Sequence, residues 1–261
     1  MEEWIFDTHA HYDDDAFDED REELLKSLAS LGIGRIVNVG SDLAGCRGTL
    51  ALTEQYDFIY GAIGVHPTEC AEITEDDIQW IKRESAREKV VAIGEIGLDY
   101  YWPDVDRETQ KKWFLRQMDL AREVHLPIII HSREAAQDTY ELMRQAHAEE
   151  IGGVVHCFSY APEMAKRFVE MGFYIGIGGV LCFKNAKKIR EVCEQIPLDR
   201  IVLETDCPYL APPPHRGKRN NSSYLRYVVP MMAEIKGVSA EEVIHTTREN
   251  AFALYRMQNG E

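Results

Sequence analysis

The 261-residue chain is short of positive charge: 29 lysines and arginines face 45 aspartates and glutamates, for a formal net charge of −16. Phosphate backbones are held by Lys and Arg, so this balance excludes a protein that coats nucleic acid non-specifically. It leaves room for an enzyme whose site is made locally positive by bound cations. Long apolar runs are also missing. The longest charge-free apolar stretch, 171–183, contains four glycines and falls short of the roughly 18 residues of a spanning helix. No membrane partner is expected. The chain opens Met-Glu-Glu-Trp, without the basic segment that begins a secretory signal, so export is not expected either. None of the six cysteines (Cys46, Cys70, Cys157, Cys182, Cys193, Cys207) stands in C-x-x-C spacing. Reduced thiols in a cytoplasmic protein are expected, not a disulfide framework. Repeats, low-complexity tracts and linkers are lacking, which predicts one domain over 1–261 and no obligate protein partner. The Ala211-Pro212-Pro213-Pro214 run is a rigid bend inside that domain.

What is present is ordinary globular material, 45% hydrophobic and 28% charged, enough to bury a full core. Short apolar runs cover 4–7, 35–39, 58–63, 90–93, 127–130, 154–155, 173–177 and 200–203. Each is short enough for a buried strand. Helical spacing marks 20–31, 106–124, 133–148 and 162–171. The last opens Ala161-Pro162-Glu163, with Pro and an acid in the first turn, as helix starts prefer. Eight strands alternating with helices predict a single (β/α)8 TIM barrel. An open doubly wound sheet is the rival. It would want a Gly-rich phosphate loop after the first strand, where this chain has Thr8-His9-Ala10-His11.

Barrel strand ends ring one face, and that face carries the chemistry. His9 and His11 close the first run, His66 follows the third, Glu95 the fourth, His131 the fifth, His156 the sixth and Asp206 the eighth. Strand alternation predicts that Glu204 and Asp206 share one direction. A single His at a strand end is usually a hydrogen-bonded structural residue, and His125, His147, His215 and His245 are read so. The set asks for a shared explanation. Without metal, Glu95 and Asp206 would repel each other in a semi-buried mouth. Six candidate ligands (His9, His11, Glu95, His131, His156, Asp206) exceed the three or four of a single zinc site, so two divalent cations are expected. Zinc, manganese and magnesium all remain open.

In order along the chain come Phe6-Asp7-Thr8-His9-Ala10-His11, Gly64-Val65-His66-Pro67, Gly94-Glu95-Ile96-Gly97-Leu98-Asp99-Tyr100, His131-Ser132-Arg133, His156-Cys157-Phe158 and Glu204-Thr205-Asp206-Cys207-Pro208. This sequence resembles the TatD family of metal-dependent deoxyribonucleases, over its whole length to Glu249-Asn250-Ala251-Phe252. The resemblance implies one metal on His9, His11 and Asp206 and another on His131 and His156, with Glu95 bridging. It implies a DNase or 3′–5′ exonuclease. Some TatD-like proteins instead remove D-amino acids from tRNA, so a D-aminoacyl-tRNA deacylase or a small-molecule amidohydrolase is the alternative. Many amidohydrolases bridge their metals with a carbamylated lysine. Glu95 in that place counts against a cyclic-amide hydrolase.

The mechanism expected is attack of a metal-activated water on phosphorus. Asp206 orients the water or accepts its proton, and Glu204 assists it or holds a ligand in place. Arg133 is read as a phosphate clamp, with a surface ion pair as the alternative. His66 is read as a phosphate contact or a structural residue. Arg216, Lys218 and Arg219, on the loop after the eighth strand, form either a contact to transiently bound DNA or a solvated charge run. Tyr100, Tyr101 and Trp102 either stack an unpaired base or pack the barrel rim.

Overall fold

The computed structural model describes residues 4–258. Eight parallel strands follow one another in chain order round one sheet: β1 (Ile5–Ala10), β2 (Ile33–Gly40), β3 (Ile59–Ile63), β4 (Val90–Asp99), β5 (Ile128–Arg133), β6 (Gly153–Val155), β7 (Tyr174–Ile177) and β8 (Ile201–Leu203). The intervening helices are α1 (Arg21–Leu28), α2 (Leu43–Gln55), α3 (Glu75–Glu84), α4 (Arg107–Val124), α5 (Ala136–Gln145), α6 (Pro162–Glu170) and α7 (Lys187–Gln195). After β8 come α8 (Leu225–Lys236) and α9 (Ala240–Leu254). The ring is joined between β8 and β1 by the Ala10–Cys207 bridge, and the Asp206 and His11 N–H groups donate to His9 and Cys207 carbonyls at 2.9 and 2.8 Å. This is the expected (β/α)8 barrel.

Local chemistry explains the helix starts. Thr74 and Asp77 form a reciprocal capping box at α3, Asp106 accepts the Glu108 and Thr109 N–H groups at α4, and Ser239 caps α9. Two stretches are shorter as α-helices than the periodicity suggests. The 20–31 stretch leaves the α-helix at Leu28 and ends as a 3-10 turn, Ala29–Leu31. The 133–148 stretch becomes helical only at Ala136, because Arg133 still pairs with Asp99 across β4 and β5. β4 itself runs on to Asp99, so Glu95 lies inside a strand and not past its end.

Two apolar clusters separate the inside of the barrel from its outside. Ile128, Ile130, Val155, Ile175, Ile177 and Leu203 join helix residues such as Leu25, Ile78 and Phe168. Phe6, Val37, Val39, Ile129, Val154 and Val202 form a second cluster whose only helical members come from α9. That second set fills the barrel. Strand side chains repeat every two residues, so His131, His156 and Glu204 continue the inward rows of Ile129, Val154 and Val202. All six cysteines are unpaired. Among the described residues, no helix is long and apolar enough to cross a membrane.

Candidate metal centre

The inward rows converge on Glu95, which is buried in the barrel mouth. Its two oxygens face opposite sides. Oε2 lies 3.4 Å from His9 Nε2 and 3.8 Å from His11 Nε2. Oε1 lies 2.8 Å from His131 Nδ1, 2.6 Å from His156 Nε2 and 3.6 Å from His66 Nε2. Asp206 closes the first side, with Oδ1 3.4 Å from His11 and 3.8 Å from His9. His9 and His156 stack across the middle at 4.0 Å and 8°. Among the described residues three triplets have donor atoms within 4.8 Å of one another: His9, His11 and Asp206; His9, Glu95 and His156; and His66, Asp99 and His131. The first is the expected triad. The other two interleave through the 2.8 Å contact of His131 with Glu95.

The donor set fits divalent cations. Two atoms each about 2.1 Å from one tetrahedral ion lie roughly 3.4 Å apart. His9 Nε2 and His11 Nε2 are 3.1 Å apart, and the edges from His9 to Glu95 and from His11 to Asp206 are both 3.4 Å. The edges from His131 and His156 to Glu95 Oε1 are shorter, as charge-assisted hydrogen bonds from imidazolium are. Burial pushes His11 and His131 down, but the Asp206, Glu95 and Asp99 carboxylates outweigh it and raise them to about 10 and about 9. Burial raises Glu95, and the surrounding imidazoles reverse this and hold it well below the usual carboxylate range. Without metal, protons stand in for cations.

The remaining residues support this group. His131 Nε2 is 2.9 Å from Asp99 Oδ2, and His11 Nδ1 is 2.7 Å from the Val39 carbonyl. Such partners fix ring orientation. His66 Nδ1 accepts the Thr68 N–H at 3.2 Å. Burial and the neighbouring His131 lower His66 to about 3, so it is neutral, with Nε2–H aimed at the centre.

Glu204 and Asp206 both bring their charge to bear on His156, but with different contacts. β8 ends at Leu203, and Asp206 adopts a left-handed conformation (φ 56°). Glu204 accepts the Cys157 N–H and leaves Oε2 buried without a partner. Gly176 leaves room for it: a Cβ there would stand 2.3 Å from Oε2, and the carboxyl would have to shift. Burial raises Glu204 to about 8, so it holds a proton at neutral pH in the metal-free chain. Asp7 does not reach the centre. Its carboxylate accepts from Thr205 and Ser222 at 2.7 and 2.6 Å, knitting β1 to the segments after β8.

Sequence reasoning missed the Asp99–His131 link and the Cys157 anchor of Glu204. Two-residue spacing from Glu95 through Gly97 to Asp99 was the signal for the first. The second joins positions 157 and 204 and had none. The four histidines read as structural lie outside the centre. His125 closes α4, His215 stacks on Tyr224 at 4.1 Å, His147 meets Glu149 and His245 meets Arg248.

The cations expected to touch substrate have different surroundings. Arg219 forks onto Asp20 at 2.7 and 2.5 Å and also donates to the Ala16 carbonyl. Arg216 stacks 3.7 Å over Phe183 and donates to Ala211. Lys218 is exposed, and its ammonium has no partner among the described residues. Arg133, two residues past His131, lies 3.8 Å over the Tyr101 ring and makes no ion pair or side-chain hydrogen bond among the described residues.

Comparison with known proteins agrees with a metal-dependent hydrolase. The family model for TatD related DNase matches residues 6–256. The Bacillus subtilis protein named uncharacterized metal-dependent hydrolase YabD is 47% identical over 97% of this chain and 99% of its own. The Escherichia coli YcfH protein, named likewise, is 35% identical over 97% of this chain and 96% of its own. Among solved structures, the Escherichia coli TatD homologue YjjV superposes with a TM-score of 0.93 at 31% identity, covering 99% of this chain and all of that one. The matched span starts in β1 and ends beyond α9, so the whole barrel is inside it: the chain belongs to the TatD related DNase family.

Proposed function

We propose that the chain is a metal-dependent hydrolase that cleaves phosphodiester bonds of DNA, working 3′–5′ from an end, with two divalent cations. The observation that carries this reading is Glu95, whose two oxygens face two separate groups of imidazole nitrogens. A single zinc uses three or four protein ligands, and a carboxylate shared between two donor groups suits a pair. His9, His11 and Asp206 would hold one cation, His131 and His156 the other, and Glu95 both. The family description supports DNA as substrate, and the names of the Bacillus and Escherichia relatives support metal-dependent hydrolysis. The six unpaired cysteines support a cytoplasmic setting.

When bound, zinc, manganese or magnesium supplies Lewis acidity toward a phosphoryl oxygen and a water acidified to near neutrality. The chain supplies the rest. Asp206 is kept ionised by His11, His156 and His9 against the pull of burial, so its carboxylate takes the proton of the attacking water. Neutral His66 donates Nε2–H to the phosphate. Arg133 offers an unpaired N–H edge to the same group. Glu204 acts through the Cys157 backbone, holding the turn that follows His156, and is a positioning residue. The net charge of −16 keeps the grip on DNA transient and local to this mouth.

The test is a side-by-side assay of zinc-, manganese- and magnesium-loaded protein on single-stranded DNA, misacylated tRNA and a dihydropyrimidine amide. Mononucleotides from DNA alone are expected. Product from misacylated tRNA alone would move the reading to a D-aminoacyl-tRNA deacylase, and from the amide alone to an amidohydrolase. Glu95→Ala is expected to halve the bound metal and to slow DNA hydrolysis roughly a thousandfold. Unchanged turnover would sink the two-cation arrangement.

A further inference from the structure

Among the described residues four large hydrophobic side chains are exposed: Leu31, Tyr101, Trp102 and Tyr209. The last three stand on the loops that leave the C-terminal ends of β4 and β8, on the face of the metal centre. Tyr101 and Trp102 are each 48% exposed and meet edge to face at 4.8 Å and 88°. Their neighbour Tyr100 turns inward, its hydroxyl on Asp138 and Arg107 over its ring. Rim packing therefore accounts for Tyr100 and leaves the next two rings without a structural task.

Two further observations bear on that pair. Arg133 lays its guanidinium 3.8 Å from the Tyr101 ring centre and 5.9 Å from that of Trp102. Its face is taken by the rings, and its N–H edge is free of protein acceptors. The buried Asp99 carboxylate then ties the aromatic loop to the centre. Oδ1 accepts the Tyr101 and Trp102 N–H groups at 2.9 and 3.2 Å, while Oδ2 lies 2.9 Å from His131 Nε2. One carboxylate thus holds the two rings and a ligand histidine in a set relation. Rings in water beside an anion-binding guanidinium match the two parts of a nucleotide, a flat π-face and a phosphate.

Resting on the phosphodiesterase reading, we infer that Tyr101, Trp102 and Arg133 form a subsite for an unpaired nucleobase at the strand end, with Arg133 on the adjoining phosphate. Bases inside a duplex are already stacked on both faces, so the subsite selects single-stranded or frayed ends.

The test uses the metal-loaded full-length protein. Its first readout is tryptophan fluorescence with a phosphorothioate-linked thymidine trinucleotide. Its second is the hydrolysis of a thymidine oligonucleotide with and without its terminal base. Both rings are half exposed, so alanine variants keep the fold. Quenching in the parent protein, lost in Trp102→Ala, is expected. KM for the intact oligonucleotide should rise about tenfold in Tyr101→Ala and in Trp102→Ala, with no change for the abasic substrate. Trp102→Phe keeps a ring and should keep KM. Hydrolysis with KM and quenching unchanged in the alanine variants overturns the subsite and spares the phosphodiesterase reading. Quenching that depends on Trp102 without hydrolysis keeps the subsite and overturns that reading. Absence of both overturns both.

Discussion

The loop after β8 and the end of β5 both bring cations to the catalytic face, and the fold treats them differently. Along the chain the β8 loop is the richer, with Arg216, Lys218 and Arg219 inside four residues. Yet Arg219 is held by Asp20 and Ala16, and Arg216 by Phe183 and Ala211. Arg133 stands alone in its stretch, and its N–H edge has no acceptor among the described residues. Charge density in sequence is not charge available to substrate. The acceptors that decide availability come from distant elements; Asp20 precedes α1, 199 positions before Arg219.

The centre enclosed by these rims sets the largest expected effect. A His raised above its unfolded value of about 6.5 stabilises the fold fully below that value and loses the contribution as pH rises through its folded value. With His11 at about 10 and His131 at about 9, the metal-free protein should lose roughly 10 °C in Tm between pH 7 and 10. Metal-loaded protein should lose much less, because cations replace those protons. Equal loss in both forms would mean that metal does not bind at these histidines.

The rims come next. Arg133→Ala should raise KM for single-stranded DNA about tenfold with kcat little changed. Arg133→Lys should recover only part, since an ammonium lacks the planar fork. An unchanged KM would erase the distinction between the two rims. Arg219→Ala should instead leave KM alone and lower Tm by about 2 °C, the scale of a partly exposed ion pair worth about 1 kcal/mol. A raised KM at unchanged Tm would return Arg219 to the substrate contacts. Lys218→Ala should do least, reducing the slope of log KM against log salt by about one unit. A flat salt response in the parent protein would remove Lys218 from the path of the DNA.

Much of the site was legible before the fold. Glu95, His131, His156 and Asp206 converge because parallel strands in a barrel deliver all their C-terminal ends to one face. Strand detection by apolar runs therefore located chemistry as well as structure. The reading failed where a strand outlives its apolar run. Gly94-Glu95-Ile96-Gly97-Leu98-Asp99 has too few β-branched residues to show as a strand, and it is held there by pairing with Ile130 through Arg133 on β5. The same pairing keeps Arg133 out of α5 and places it over Tyr101. Beyond β8 the spacing showed neither partner: the left-handed turn at Asp206 brings its carboxylate to His11 and His9, while Glu204 reaches across to Cys157.

The sequence by itself determined the barrel, the face that carries the chemistry and the identities of the ligand candidates. Each of these follows from local periodicity and from which residue types end the strands. Tertiary structure alone decided which oxygen of Glu95 meets which imidazoles, that Asp99 ties His131 to two exposed rings, and that Arg219 serves the fold while Arg133 stays open. These depend on distances between groups far apart in the chain. A carboxylate or guanidinium takes its role from whichever partner the closed barrel brings within hydrogen-bonding reach.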